Sequence, residues 1–114
     1  MPAKLSTHVL DLTTGRPAAG VRIELWRKQP AAALVKTSTT NSDGRTDAPL
    51  LNEAEMSAGS YELVFFVKSY FANRGVECVF LEDVPVRFTI SDPAASYHVP
   101  LLVTPWSYST YRGS

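Results

Sequence analysis

The chain alternates. In VRIELW, Val21, Ile23 and Leu25 fall on one side of an extended backbone, with Arg22 and Glu24 on the other. YELVFFV repeats the pattern with Tyr61, Leu63, Phe65 and Val67, and VPVRFTI repeats it with Val84, Val86, Phe88 and Ile90. A period of two belongs to a strand with one face against a core. Turn-forming clusters separate the runs at short intervals: TTGRPAAG at 13–20, NSDGR at 41–45, SAGS at 57–60, ANRG at 72–75 and SDPAAS at 91–96. Short alternating runs between such clusters predict an all-β sandwich or barrel. Asp43-Gly44 suits a tight reversal between strands, because glycine takes positive φ at little steric cost. Two segments depart from the alternation. KSYFANRG, 68–75, predicts a short helix closed by Gly75, and LNEAEMSAG, 51–59, predicts an irregular loop.

Two further runs carry apolar residues on both faces. SYHVPLLVT, 96–104, sends Tyr97, Val99, Leu101 and Val103 one way and His98, Pro100, Leu102 and Thr104 the other. LSTHVLDL groups Ser6, His8 and Leu10. With the first set in the core, Leu102 is left outside beside His98. Leucine beside histidine is ill suited to open water and reads as an interface with another copy of the chain. Pro100 interrupts the ladder of its strand.

Size and charge narrow the classes. A chain of 114 residues fits one domain, residues 1–114, and hides roughly two-thirds of its unfolded surface. Hydrophobic residues at 45% and charged residues at 19% are an ordinary globular balance. A formal net charge of zero lacks the basic excess that nucleic acid requires, and it weakens the case for an anionic membrane. The start, MPAKLSTHVL, has no apolar stretch of signal-peptide length. No window reaches the ~18 apolar residues of a membrane span. The expectation is a soluble, cytoplasmic protein. The single cysteine, Cys78, cannot form an internal disulfide. It sits in VECVFL and reads as a buried, inert thiol.

Candidate chemistry is sparse. His8 and His98 lie near opposite ends of the chain. In an antiparallel sandwich the first and last strands can share a sheet, so the two can meet. Two imidazoles beside a cation can divide acid, base and oxyanion roles. Their spacing alone favours two ordinary surface histidines. Zinc needs three or four ligands, usually with a close-set pair; nothing of that kind accompanies these histidines, and no metal is expected. Neither G-x-S-x-G nor a phosphate-cradling glycine loop occurs. Arg45, after SDG, reads by itself as a solvated turn residue, and Asp11 and Asp47 read as turn or strand-end residues. The ending YSTYRGS is unusual, because termini fray and tend to be small and polar.

The stretches HVLDLTTGRPAAGV, NSDGRTD, AGSYELVFF followed by YF, RFTISDP and YHVPLLVTPWSYSTYRGS run in order from His8 to Ser114. Together they resemble the 5-hydroxyisourate hydrolase family, the transthyretin-like enzymes of purine catabolism. The terminal Tyr-Arg-Gly-Ser is the most specific element. The resemblance implies a transthyretin-like (prealbumin-like) sandwich of two antiparallel sheets with one short helix. It implies a homotetramer, a dimer of dimers, with sites in a channel where the dimers meet. It implies hydrolysis of 5-hydroxyisourate to 2-oxo-4-hydroxy-4-carboxy-5-ureidoimidazoline, without a cofactor. Residue by residue, it implies His8, Arg45 and His98 as catalytic groups. Substrate binding would fall to His8, Arg45, Tyr111, Arg112, Gly113 and Ser114, the tail lining the site. Which histidine is the base stays open. Transthyretin, a small-molecule carrier, shares the sandwich and the SYST segment. His8 (a lysine in transthyretin), His98 and the YRGS ending all stand on the hydrolase side. Trp106, where many members have Tyr or Phe, and the missing proline in FLEDVPVRF are departures that bear on local packing.

Overall fold

A computed structural model of the chain describes residues 2–29 and 31–114. Residues 1 and 30 of the expected domain lie outside the described residues. The strands are β1 (Leu5–Ser6), β2 (Val9–Asp11), β3 (Arg16–Pro17), β4 (Arg22–Arg27), β5 (Ala33–Thr39) and β6 (Gly59–Phe65). A helix α1 (Val67–Asn73) follows, then β7 (Val84–Ile90), β8 (Tyr97–His98), β9 (Leu101–Val103) and β10 (Tyr108–Thr110). One sheet has the order β5-β4-β6-β7 and the other β10-β9-β2-β3, with a β1-β8 pair beside it. This is the transthyretin-like sandwich that the resemblance implied, with its one short helix.

The alternating runs make the core. Val21, Ile23, Leu25, Leu63 and Phe65 are fully buried, as are Leu101 and Val103 from the facing sheet. Each such side chain contributes roughly 1.5–3 kcal/mol by leaving water. Phe88 is half-buried and stacks on Tyr61 with ring centroids 5.9 Å apart. Val67, which the alternation assigns to a strand, instead opens α1 and turns inward with Tyr70 and Phe71. Tyr70 ties the helix to the other sheet, its hydroxyl donating to Asp11 Oδ2 at 2.8 Å. Burial and the Asp11 carboxylate push that phenol up to about 12. Asp11 ends β2 and is 1% exposed; its other oxygen accepts from the Thr13 amide and hydroxyl at 2.9 and 2.6 Å. It is a strand-end residue, as expected, and a buried anchor. Cys78 is buried as expected, with Sγ donating to the Leu81 carbonyl at 3.3 Å.

One expectation needs correction. The sheet that carries the histidines is mixed, because β1 and β8 run parallel, as do β2 and β9. The chain crosses to the other sheet between them, which is the kind of connection parallel neighbours need. The register is constant: Leu5 faces Tyr97, Ser6 faces His98, Val9 faces Leu101 and Leu10 faces Leu102. The two short pairs are therefore one ladder interrupted near Pro100. Around the interruption Val99 N donates to the Ser6 carbonyl and Leu101 N to the His8 carbonyl, both at 2.9 Å. The buried Thr7 hydroxyl donates to the Val99 carbonyl at 2.7 Å. Among the described residues no helix is long and apolar enough to cross a membrane.

Candidate active site

The parallel register decides where the histidines go. Ser6 and His98 face each other, and His8 stands two positions beyond Ser6 on the same outer face. The imidazoles are therefore diagonal neighbours, each half-buried. Each is held by one nitrogen. His98 Nδ1 shares a 2.9 Å hydrogen bond with Ser6 Oγ, and His8 Nε2 donates to the Asp43 carbonyl at 2.8 Å. Burial, then the positive charge of Arg45, the neighbouring His8 and Lys4, hold His98 below the usual histidine range. His98 is thus kept neutral near pH 7, with a lone pair to offer.

Arg45 reaches this face from the 41–45 turn. That turn does not reverse the chain between paired strands, as Asp43-Gly44 suggested; it lies in the long connection between β5 and β6. It docks on β2 instead, with Val9 N donating to the Gly44 carbonyl at 2.8 Å. Gly44 has φ of +75°, and a Cβ there would stand 2.4 Å from the Val9 carbonyl oxygen. The close docking demands glycine for both reasons. Arg45 is exposed, and no hydrogen bond or ion pair engages its guanidinium among the described residues. It lines a cavity of about 220 Å³ with Lys4, Ser6, Thr7 and Asp47. A solvated turn arginine becomes, by placement, a free cation whose field reaches His98.

The tail is tied down. Gly113 and His98 exchange backbone hydrogen bonds, His98 N to the Gly113 carbonyl at 3.1 Å and Gly113 N to the His98 carbonyl at 2.7 Å. Thr110 anchors the approach, its hydroxyl donating to the Pro100 carbonyl at 2.6 Å. Ser114 lines a second cavity, of about 460 Å³, that shares Lys4 and Pro49 with the one beside Arg45. Tyr111 and Arg112 go elsewhere within one chain. They line a groove with Phe88, Thr89 and Tyr97, where the Arg112 guanidinium lies 4.6 Å from the Tyr97 ring centroid. Arg112 Nη2 also donates to the Ser96 carbonyl at 3.1 Å. The protomer therefore gathers His8, His98, Arg45 and Gly113, places Ser114 next door, and turns Tyr111 and Arg112 aside.

Ser6 and Asn41 escaped the sequence reading as site residues. Ser6 was visible on the face of His8, but its partner depends on a long-range register. Asn41 begins NSDGR, and an asparagine two residues before such a turn is a local signal for a side-chain clasp. Among the described residues no group of three or more His, Cys, Asp or Glu is gathered as metal ligands would be.

A prealbumin-like sandwich with two histidines and an arginine on one outer face, bounded by its own C-terminal residues, defines a class of protein. Comparison with known proteins agrees: the chain belongs to the HIUase/Transthyretin family, whose model matches residues 5–113. It is 52% identical over 115 residues to 5-hydroxyisourate hydrolase 2 of Rhizobium meliloti (strain 1021), covering 97% of this chain and 96% of that protein. It superposes on the structure of Klebsiella pneumoniae 5-hydroxyisourate hydrolase with a TM-score of 0.85 at 38% identity, over 98% of this chain and 99% of that one. The crystal structure of (S)-allantoin synthase gives a TM-score of 0.94 at 47% identity over 98% of this chain; the match spans only 44% of that longer protein.

Proposed function

We propose that this protein is an enzyme, a 5-hydroxyisourate hydrolase, opening its substrate to 2-oxo-4-hydroxy-4-carboxy-5-ureidoimidazoline. The observation that carries the reading is the convergence of His8, His98 and Arg45 beside the Gly113 backbone. Opening a cyclic amide needs a base for the attacking water and donors for the oxygen that gains charge. A neutral imidazole takes the water's proton as the new C–O bond forms. The C–N bond then breaks, and the proton passes to the departing nitrogen. The free Arg45 guanidinium offers a planar fork to the ring oxygens and to the developing charge. Gly113 and Ser114 bound the space beside His98, whereas Tyr111 and Arg112, turned aside within one protomer, join the polar grip on the substrate only where a second copy brings its tail alongside.

In this reading the working form is a homotetramer, a dimer of dimers. Leu10 and Leu102, paired and half-buried on the histidine face, support it. Facing copies of that surface wall a channel, which accounts for apolar groups beside catalytic ones. The buried lone thiol suits a reducing, cytoplasmic setting. The family description also covers transthyretin, so the fold alone does not choose between hydrolase and carrier. His8, His98 and the YRGS ending favour the hydrolase.

The test is direct. Fresh 5-hydroxyisourate, generated with urate oxidase, is followed by its ultraviolet decay with and without the protein. A chain lacking the last four residues is then compared. Accelerated decay that depends on the tail supports the reading. Unchanged decay, with stoichiometric hormone binding in its place, overturns it in favour of a carrier.

A further inference from the structure

His8 is hydrogen-bonded to the turn that carries Arg45, and one residue clasps that turn. Asn41 Oδ1 accepts from the Asp43 amide at 2.9 Å and from the Arg45 amide at 3.2 Å. Its main chain closes the same loop, with Gly44 N donating to the Asn41 carbonyl at 2.9 Å and Asn41 N donating to the Arg45 carbonyl at 2.8 Å. Its Nδ2 donates to Asp47 Oδ1 at 3.0 Å. Asparagine suits the position because one side-chain oxygen can take two amides while the nitrogen still donates.

This clasp has a chemical consequence at His8. The turn presents the Asp43 carbonyl to His8 Nε2. A carbonyl has no proton to give, so a neutral His8 must carry its own on Nε2 and leave Nδ1 as the basic nitrogen. The turn has little room to shift, since a Cβ on Gly44 would meet the Val9 carbonyl at 2.4 Å and His8 Cδ2 at 3.2 Å. Loosening the clasp moves the Asp43 carbonyl and the Arg45 backbone together.

We infer that Asn41 is a positioning residue that fixes the tautomer of His8 and the station of Arg45 at once. The kinetic half of the inference rests on the hydrolase reading; the tautomer half does not. Asn41→Ala removes the clasp. Asn41→Asp combined with Asp47→Asn exchanges donor and acceptor across the pair and restores both backbone contacts without setting two carboxylates together. Histidine ring nitrogens are read by long-range ¹⁵N–¹H correlation near pH 7.5, and hydrolysis is measured across pH.

The wild-type protein is expected to show His8 protonated on Nε2. Asn41→Ala is expected to mix the tautomers, lower kcat/KM by about 10- to 100-fold and displace the pH profile, while the exchanged pair recovers all three. If Asn41→Ala does not fold, Asn41→Ser, with a weaker acceptor, is expected to give the same changes in smaller measure. A wild-type His8 protonated on Nδ1 overturns the inference. So does a folded Asn41→Ala or Asn41→Ser protein with unchanged tautomer and kinetics, or an exchanged pair that recovers nothing. If the tautomer follows the clasp but no form, wild type included, hydrolyses 5-hydroxyisourate, the hydrolase reading fails and the positioning role stands.

Discussion

Gly113 lies against the ring of His98. A Cβ built on Gly113 would stand 3.0 Å from His98 Cβ and 3.2 Å from Cδ2. An added Cβ would need the ring or the tail to give by a few tenths of an ångström, and no unusual φ is involved. The exchanged backbone bonds between the two residues keep the tail at this distance. Gly113→Ala is therefore expected to lever the tail away from the imidazole. Displacing a site group by about 1 Å can cost around 10²-fold in rate. The shift needed here is a few tenths of an ångström, so we expect a loss of about 10-fold in kcat/KM, with little change in melting temperature because the disturbance is confined to the Gly113–His98 contact. Steady-state kinetics and a thermal melt check it, and an unimpaired variant would show that the tail's path is irrelevant to turnover.

Arg45→Ala tests the free cation. Losing one preorganised donor for a developing oxyanion typically costs ~10²–10³ in rate. The guanidinium makes no hydrogen bond or ion pair among the described residues, so the urea midpoint should move little. The substitution also removes one positive neighbour of His98, which makes the imidazolium easier to form. The pKa of His98, followed by NMR titration, should rise.

The lowered pKa of His98 predicts a pH signature with a definite sign. An unfolded histidine takes its proton near the ordinary value of about 6.5, while the folded one resists to lower pH. Between these two values the unfolded chain binds more protons. Stability from this group is therefore present above about pH 6.5 and is lost as pH falls toward the folded value. Urea denaturation at pH 7.5 and pH 5.5 should show the loss, and His98→Asn should remove that part of it. In the wild-type enzyme, the limb of the pH–rate profile that reports His98 should lie below pH 6.5.

Tyr70→Phe separates structure from catalysis. It leaves Asp11 Oδ2 buried without its donor. A hydrogen bond to a buried charge is worth about 1.5–3 kcal/mol. Urea unfolding should show a destabilisation of that size, with kcat close to wild type. A large loss of rate with intact stability would place Tyr70 in the chemistry and contradict the site assigned here.

Leu102→Arg tests the shared face. Leu102 pairs with Leu10 on the outer surface of the histidine sheet. A charge there should oppose the docking of a second copy, because burying it unpaired is costly. Sedimentation should report a smaller assembly, and activity should fall with it although no catalytic side chain has changed. A soluble, fully active dimer would rule out the channel.

Much of the sandwich was legible because burial follows a period of two. Val21, Ile23, Leu25, Tyr61, Leu63 and Phe65 announce their faces locally, and all are buried. The helix was legible from KSYFANRG, although it starts one residue earlier, at Val67, where the chain leaves the sheet. The parallel pairing was not legible, since no local pattern states which distant strand will lie alongside, or in which direction. The same gap hid the partner of Ser6. Gly44 looked like a hairpin glycine because its φ is a local property, whereas its docking on Val9 is tertiary. The proposed roles of His8, His98 and Arg45 came into view through family resemblance. Alone, each is an ordinary surface residue, and only the register and the turn bring them to one face.

The constant register of the two short parallel pairs, β1-β8 and β2-β9, has a kinetic consequence. Ser6 and His98 are 92 positions apart in sequence, so joining them closes nearly the whole chain into a loop. Loop-closure entropy must be met before such a contact returns any energy. On refolding from denaturant, far-ultraviolet dichroism from the local β4-β5 and β6-β7 neighbours should recover ahead of catalytic competence, because the cleft exists only after the two ends of the polypeptide have zipped together.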